Sequence, residues 1–269
     1  MSGHAADRLR LAERAAAAGG AVAIDAFRTD DLAVETKSGK TDVVTRADRE
    51  AQARVVEVVR ATYPADPVVG EEAGLPDTVS TEGPAWVVDP IDGTNNFVRG
   101  LPTWATSVAA VVDGEPVAAA TALPAVGDTY HAGPSGARRN GDSIAVSDRR
   151  DPERGTVAAS SWWPPDRRAE FVATVAGIAD RFGDLRRLGA IQAELAAVAD
   201  GGLEGLVSTV VVTPWDSLAG VLLVRRAGGT VTDLAGEPWR LGATGLVASN
   251  GHVHDELLAT VSAVDPTRA

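Results

Sequence analysis

Residues 85–94 constrain this chain more than any other stretch, because an apolar run ends in a turn carrying two carboxylates and a hydroxyl. Ala85-Trp86-Val87-Val88 reads as a buried strand. Pro90 keeps Asp89 extended and fixes its own φ, which predicts that the strand stops there. Gly93 permits a sharp bend or a close backbone approach. Thr94 stands where a short helical turn through Asn95, Asn96 and Phe97 begins, with free N–H groups at its start. Folded this way, Asp89, the Ile91 carbonyl and Asp92 point at one place and form an all-oxygen site for a hard cation such as Mg²⁺. The competing reading is a strand-ending Asp-Pro turn with a solvated second aspartate.

The 269 residues suffice for one large domain or two medium ones with a sizeable core. Hydrophobic and charged shares of 45% and 23% are those of a globular protein. No run of about 18 apolar residues is present, so no membrane partner is expected. The alanine-rich N-terminus, with Asp7, Arg8, Arg10, Glu13 and Arg14 spaced along it, reads as an amphipathic helix rather than a secretion signal. With no cysteine, disulfides, thiolate metal sites and cysteine nucleophiles are excluded, and a cytoplasmic location fits. A net charge of −12 opposes nucleic-acid binding, which needs basic surface. Lys37 and Lys40 are the only lysines, against 23 arginines, and 23 aspartates outnumber 14 glutamates. Two explanations compete: a GC-rich genome substitutes Arg for Lys, whereas a salt-adapted protein carries a dense acidic surface, and the second is the preferred reading.

Along the chain, residues 5–28 read as a long helix with Gly19-Gly20 a weak spot, and 33–36 as a short extended piece. A second helix of about 16 residues is expected to end near Tyr63-Pro64. Residues 67–70 form a short strand that delivers Glu71 and Glu72. Strands at 104–112 and 116–122 flank Asp113-Gly114, a strong hairpin signal. Strands at 129–132 and 143–146 surround a loop containing Gly and Arg. Beyond residue 150 the pattern alternates: strand 157–161, helices 167–181 and 189–199, a strand-like run 203–212, helix 217–227, strands 230–233 and 246–249, and a helix from His254. The prediction is an α+β half (1–150) followed by an α/β half (151–269). With no Pro/Gly/Ser linker between them, they should form one compact unit with the site at the junction.

Three further acidic positions join the opening turn. Glu71 and Glu72 follow a strand, Asp48 starts the second helix, and Asp216 precedes Ser217-Leu218-Ala219-Gly220. Read singly, Asp216 is a helix cap and the glutamates a solvated loop.

Together, four segments in order resemble the inositol monophosphatase family of metal-dependent phosphomonoesterases. They are Asp42-Val43-Val44-Thr45-Arg46-Ala47-Asp48, Gly70-Glu71-Glu72, residues 89–97, and Trp215-Asp216-Ser217-Leu218-Ala219-Gly220 with Ala227-Gly228-Gly229. The likeness spans about residues 5–260. It implies a layered αβαβα sandwich of the sugar-phosphatase type, a homodimer, and a small phosphorylated metabolite as substrate. It also implies two or three Mg²⁺ ions, with Mn²⁺ a substitute, held by Glu71, Asp89, the Ile91 carbonyl, Asp92 and Asp216. Close carboxylates repel by about 4 kcal/mol per pair at an effective dielectric of about 20, so such a cluster needs cations. By the same resemblance Asp48 and Thr94, with Glu71, activate the attacking water, Gly93 and Thr94 N–H groups bind phosphate, and Glu72 supports from behind.

The chain departs from the family around the substrate. Where inositol-specific members carry an acidic residue seven positions before the Trp-Asp aspartate, this chain has Thr209. The family's small-residue segment reads Gly189-Ala190-Ile191-Gln192, with Gln192 a candidate replacement contact alongside Thr209 and Asp92. Residues 96–105 look closer to histidinol-phosphatase members, and Arg99 is a candidate for a second anionic group or plain surface charge. The expected substrates are inositol monophosphate and fructose 1,6-bisphosphate, with histidinol phosphate or a 3′-phosphonucleotide as the alternative. From another class, an inactive phospholigand-binding relative competes. Ser38-Gly39-Lys40-Thr41 lacks the first glycine of a P-loop, having Val34 there, and Ser160-Ser161 lacks a Gly-x-Ser-x-Gly elbow. His252 and His254 read as capping or surface residues, and 162–165 as a stiff aromatic loop at the substrate mouth or a subunit contact.

Overall fold

Period-2 alternation with both faces apolar runs through the centre of the molecule and dictates its layering. In β4 (Pro84–Asp92) and β5 (Ala105–Val112), Trp86, Val88, Val108 and Ala110 point to one side, and Ala85, Val87, Ala109 and Val111 to the other. A sheet buried on both faces needs helices on both. The computed structural model, which describes residues 2–29, 35–39, 42–160 and 165–261, supplies them.

A two-stranded ribbon of β1 (Glu35–Gly39) and β2 (Asp42–Val44) precedes the sheets. Together with β3 (Val68–Gly70), β6 (Glu115–Leu123), β7 (Asp128–Gly133), β8 (Gly136–Arg139) and β9 (Asp142–Ser143), β4 and β5 form a seven-stranded sheet in sequence order. Helices α1 (Ser2–Ala26) and α2 (Arg46–Arg60) cover one face. After α3 (Thr94–Val98), the second sheet has the order β11-β10-β12-β14-β13, from β10 (Thr156–Ala159), β11 (Asp184–Arg186), β12 (Gly205–Ser208), β13 (Thr230–Thr232) and β14 (Leu246–Ser249). Helices α5 (Ile191–Ala199) and α6 (Pro214–Arg226) lie between the two sheets in the largest apolar cluster. On the far side, α4 (Arg168–Ala179) and α7 (His254–Ala259) close the second sheet. The expected αβαβα sandwich is what the chain forms.

Several local expectations change. Strand β4 does not stop at Pro90 but runs to Asp92, with its register against β5 shifted between Asp89 and Asp92. Proline costs the ladder one donor, and an irregularity absorbs the loss; Thr106 Oγ1 donates to the Pro90 carbonyl at 2.8 Å. Gly19-Gly20 is no weak spot. A Cβ on Gly19 would lie 2.6 Å from Val55 Cγ2 and one on Gly20 2.8 Å from Pro124 Cγ, so the pair lets α1 approach α2 and the sheet closely. The second helix ends at Arg60, three residues before Tyr63. The Gly/Arg loop expected after 132 pairs as β8, while the strand expected at 143–146 shrinks to β9. The run 203–212 is strand only over Gly205–Ser208, and β11 has no apolar signature to betray it. The extended piece expected at 33–36 enters β1 at Glu35, while residues 33–34, 40–41 and 161–164, the rest of that piece and parts of the P-loop-like end and the aromatic loop, lie outside the described residues.

His254 also departs from expectation: it is buried, whereas His252 is exposed. Its tautomer follows from hydrogen-bond accounting. Thr232 Oγ1 gives its proton to the Asp233 carbonyl, so it accepts from Nε2–H at 3.0 Å. Burial favours the neutral ring, lowering its pKa from the ordinary 6.5 with only partial opposition from Asp255, so Ser249 Oγ, which also accepts from Gly251 N–H, gives its own proton to Nδ1 at 2.8 Å. A depressed histidine pKa leaves stability intact above 6.5 and removes it as pH falls below, because the unfolded chain takes the proton more readily. Melting temperature should therefore fall on acidification below about pH 6.5 more steeply in the wild type than in His254→Gln, and parallel curves would contradict a buried neutral ring.

Candidate active site

The irregularity in β4 decides where the carboxylates go. Residues 89 and 92 of a regular strand would point to opposite faces. Here carboxylate oxygens of Asp89, Asp92 and Asp216 all lie within 4.8 Å of one another. Asp89 and Asp92 are 1% and 5% exposed.

Each aspartate is held differently. Asp92 accepts from the first N–H groups of α5: Ile191 at 3.0 Å on Oδ1, and Gln192 at 2.7 Å and Ala193 at 3.4 Å on Oδ2. It thus caps a helix about 100 residues away, where the dipole favours negative charge. Burial and the Asp216 charge nevertheless push its pKa up, against the lowering by those N–H groups. Asp216 lies in the first turn of α6, which starts at Pro214 and not at Ser217, and Thr213 Oγ1 donates to its Oδ2 at 2.6 Å. Neither oxygen of Asp89 has a hydrogen-bond partner among the described residues. Burial first, then the charges of Glu71, Asp92, Asp216 and Asp48, push its pKa well above the carboxylate range.

Two buried acceptors facing other carboxylates cost several kcal/mol unless a proton or cation joins them. The donors here are all hard oxygens, at the small separations that a shared Mg²⁺-sized ion would bridge. The residues present fit a divalent metal.

Asp48 is fully buried as the third residue of α2, in a capping box with Thr45. Thr45 N–H and Oγ1 donate to Asp48 Oδ2 at 2.8 and 2.5 Å. Oδ1 faces Thr94, whose single hydroxyl proton has two acceptors in reach, Asp48 Oδ1 at 3.3 Å and the Ile91 carbonyl at 3.0 Å. Asp48 thus closes the start of α2 with one oxygen and faces the Thr94 hydroxyl with the other. Gly93 adopts a left-handed φ of 85°, and a Cβ there would lie 2.8 Å from that of Ala190. Only glycine lets β4 turn into α3 against the start of α5.

Glu71 leaves β3 with its N–H on the Val88 carbonyl at 3.4 Å and exerts the largest neighbouring charge on Asp89. It lies outside the tight three-aspartate group. Glu72 is buried, its backbone held on both sides by the Gln52 amide. The two substrate candidates of the second half sit deeper than expected. Gln192 is fully buried, donating to the Trp215 carbonyl at 2.5 Å, so it faces Asp92 with its N–H and not with its side chain. Thr209 is 9% exposed and its carbonyl accepts from Arg167.

Sequence reasoning passed over the residues that orient these groups: Thr45, Thr213, Gln52, Asn96 and Glu194. The first two carried a signal, a Thr-x-x-Asp spacing at both helix starts. The other three act on backbone groups, far along the chain for Gln52 and Asn96 and just ahead of its own helix for Glu194, and carry none.

The comparisons with known proteins place the chain in a family. The sequence matches the model of the inositol monophosphatase family over residues 5–265. It is 35% identical over 233 residues to a fructose-1,6-bisphosphatase/inositol-1-monophosphatase of Thermotoga maritima, covering 86% of this chain and 87% of that protein. To the Nus factor SuhB of Salmonella typhimurium it is 33% identical over 259 residues, covering 94% and 95%. The solved structure of a Thermotoga maritima IMPase superposes with a TM-score of 0.84 at 33% identity, covering 95% of this chain and 96% of that one. With the match running almost end to end and the layers coinciding, the chain belongs to the inositol monophosphatase family.

Proposed function

We propose that this chain is a magnesium-dependent phosphomonoesterase acting on a small sugar or polyol phosphate, inositol monophosphate and fructose 1,6-bisphosphate among them. The observation that carries the reading is Asp89, buried without a partner among acidic neighbours and close to a hydroxyl–carboxylate pair. Glu71, Asp89, the Ile91 carbonyl, Asp92 and Asp216 would hold two or three Mg²⁺ ions, with Mn²⁺ as substitute. When bound, the metal supplies positive charge against the phosphoryl oxygens and leaving group and acidifies the attacking water.

The chain's own groups do the rest. Thr45 fixes Asp48 so that one oxygen stays available to Thr94. Turned toward Asp48, the Thr94 hydroxyl gives its proton there while its oxygen accepts one from the water, with Glu71 assisting. The Gly93 and Thr94 N–H groups at the start of α3 hold phosphate oxygens. Residues 1–150 bring Asp48, Glu71, Asp89, Asp92 and Thr94, and 151–269 bring Asp216, so turnover needs both halves. An inactive phospholigand-binding role is disfavoured because no member of this set is missing. The family likeness supports a homodimer, and a cysteine-free chain fits a cytoplasmic home. No described helix is long and apolar enough to cross a membrane.

Thr94→Ala should cut kcat by about 10²–10⁴, the range for a lost proton-transfer group, with Mn²⁺ binding retained. Near-normal kcat would remove Thr94 from the chemistry. In a phosphate-release panel, inositol 1-phosphate and fructose 1,6-bisphosphate should turn over; histidinol phosphate turning over alone would move the substrate to the alternative class. With EDTA present, Asp89→Asn should melt above wild type, since it removes a buried repelling charge, and the order should reverse in saturating Mg²⁺. A lower melting point in EDTA would mean that Asp89 is not a strained ligand.

A further inference from the structure

Residues 188–193 form a joint that bonds two parts of the candidate metal site, Asp92 and the residue before Asp216. Their N–H groups cap Asp92, and the Gln192 amide reaches the carbonyl of Trp215, the residue before Asp216. The joint is itself fixed from two sides. From the first half, Asn96 Nδ2 donates to the Leu188 carbonyl at 2.6 Å and the Thr103 carbonyl at 2.7 Å. From the second, Glu194 Oε1 accepts Leu188 N–H at 2.6 Å and Gly189 N–H at 3.2 Å. Gly189 makes this possible: its φ is +77°, and a Cβ there would lie 3.3 Å from Asn96 Nδ2.

Glu194 is fully buried in α5, behind the helix end that holds Asp92. Burying a carboxyl is costly, and a purely packing position would be filled by an apolar side chain. Its role is legible from what it accepts: two N–H groups immediately ahead of the helix start, which no cap side chain satisfies. Without it the turn would lose its anchor, and the three donors on Asp92 would shift with it.

We propose that Glu194 is a positioning residue of this enzyme, holding the Leu188–Gly189 turn so that the α5 N–H groups aim the Asp92 carboxylate at the metal. This rests on the metal reading above. The relevant class of effect is that of groups which orient ligands without touching the ion, whose loss weakens metal binding by about 10–100-fold. Glutamine keeps a carbonyl acceptor at the same reach, so Glu194→Gln should preserve the turn, whereas Glu194→Ala removes it. Asn96→Ala attacks the same joint from the opposite side.

The test is Mn²⁺ binding followed by the paramagnetic resonance of free Mn²⁺, on the full chain at a temperature where circular dichroism shows each variant folded. Wild type should bind Mn²⁺ and Asp92→Asn should bind much less. Glu194→Ala and Asn96→Ala should lose affinity by about tenfold or more, and Glu194→Gln should stay within about threefold of wild type. If Glu194→Ala does not fold, Asn96→Ala and Glu194→Gln carry the test. Wild-type affinity in folded Glu194→Ala or Asn96→Ala, or an equal loss in Glu194→Gln, would overturn the proposal while leaving the metal reading intact. Absence of Mn²⁺ binding in the wild type would instead defeat the metal reading and the proposal with it.

Discussion

A carboxylate buried without a donor is the constraint around which this molecule is arranged. Of the three clustered aspartates, Asp92 is bonded by a helix end and Asp216 by a threonine, and nearby Asp48 likewise by Thr45. Asp89 has no such partner among the described residues, yet it is the one most enclosed by like charge. Such an arrangement is unfavourable as it stands, and it persists because the surrounding sheet and helices over-determine it. The free energy missing at Asp89 is what a divalent cation supplies, so local instability and metal affinity are the same feature.

Assembly of the site depends on elements from both ends of the chain meeting at α5 and α6. The small residue at Gly220 permits this, since a Cβ there would lie 2.4 Å from Leu195 Cδ1. The two helices pack tightly enough for the Asp92 cap and the Gln192–Trp215 bond to form together. Helix packing, helix capping and charge placement are thus one structural problem with one solution. The same packing explains why Gln192 is unavailable to a substrate: its side chain is spent joining the helices.

Much of this was legible in sequence. Asp89-Pro90-Ile91-Asp92-Gly93-Thr94 indicated convergence of oxygens, and the apolar runs 85–88 and 104–112 indicated strands. What the sequence hid was the path of β4 through Pro90, because proline's local preference to end a strand was overridden by pairing with β5 on both sides of the irregularity. It also hid His254, whose partners Thr232 and Ser249 come from two other strands. Glu194 looked like an ordinary helix residue because its partners are backbone groups that leave no mark in composition. Substrate contacts were the least legible, since position 209 differs from the family's pattern and its burial emerges only in three dimensions.

Anomalous diffraction from a crystal soaked in Mn²⁺ tests the central claim most directly. Strong peaks bounded by Asp89, Asp92 and Asp216, with Asp89 oxygens in coordination distance of at least one of them, are expected. Peaks confined to the protein surface, with Asp89 still without a cation, would contradict it.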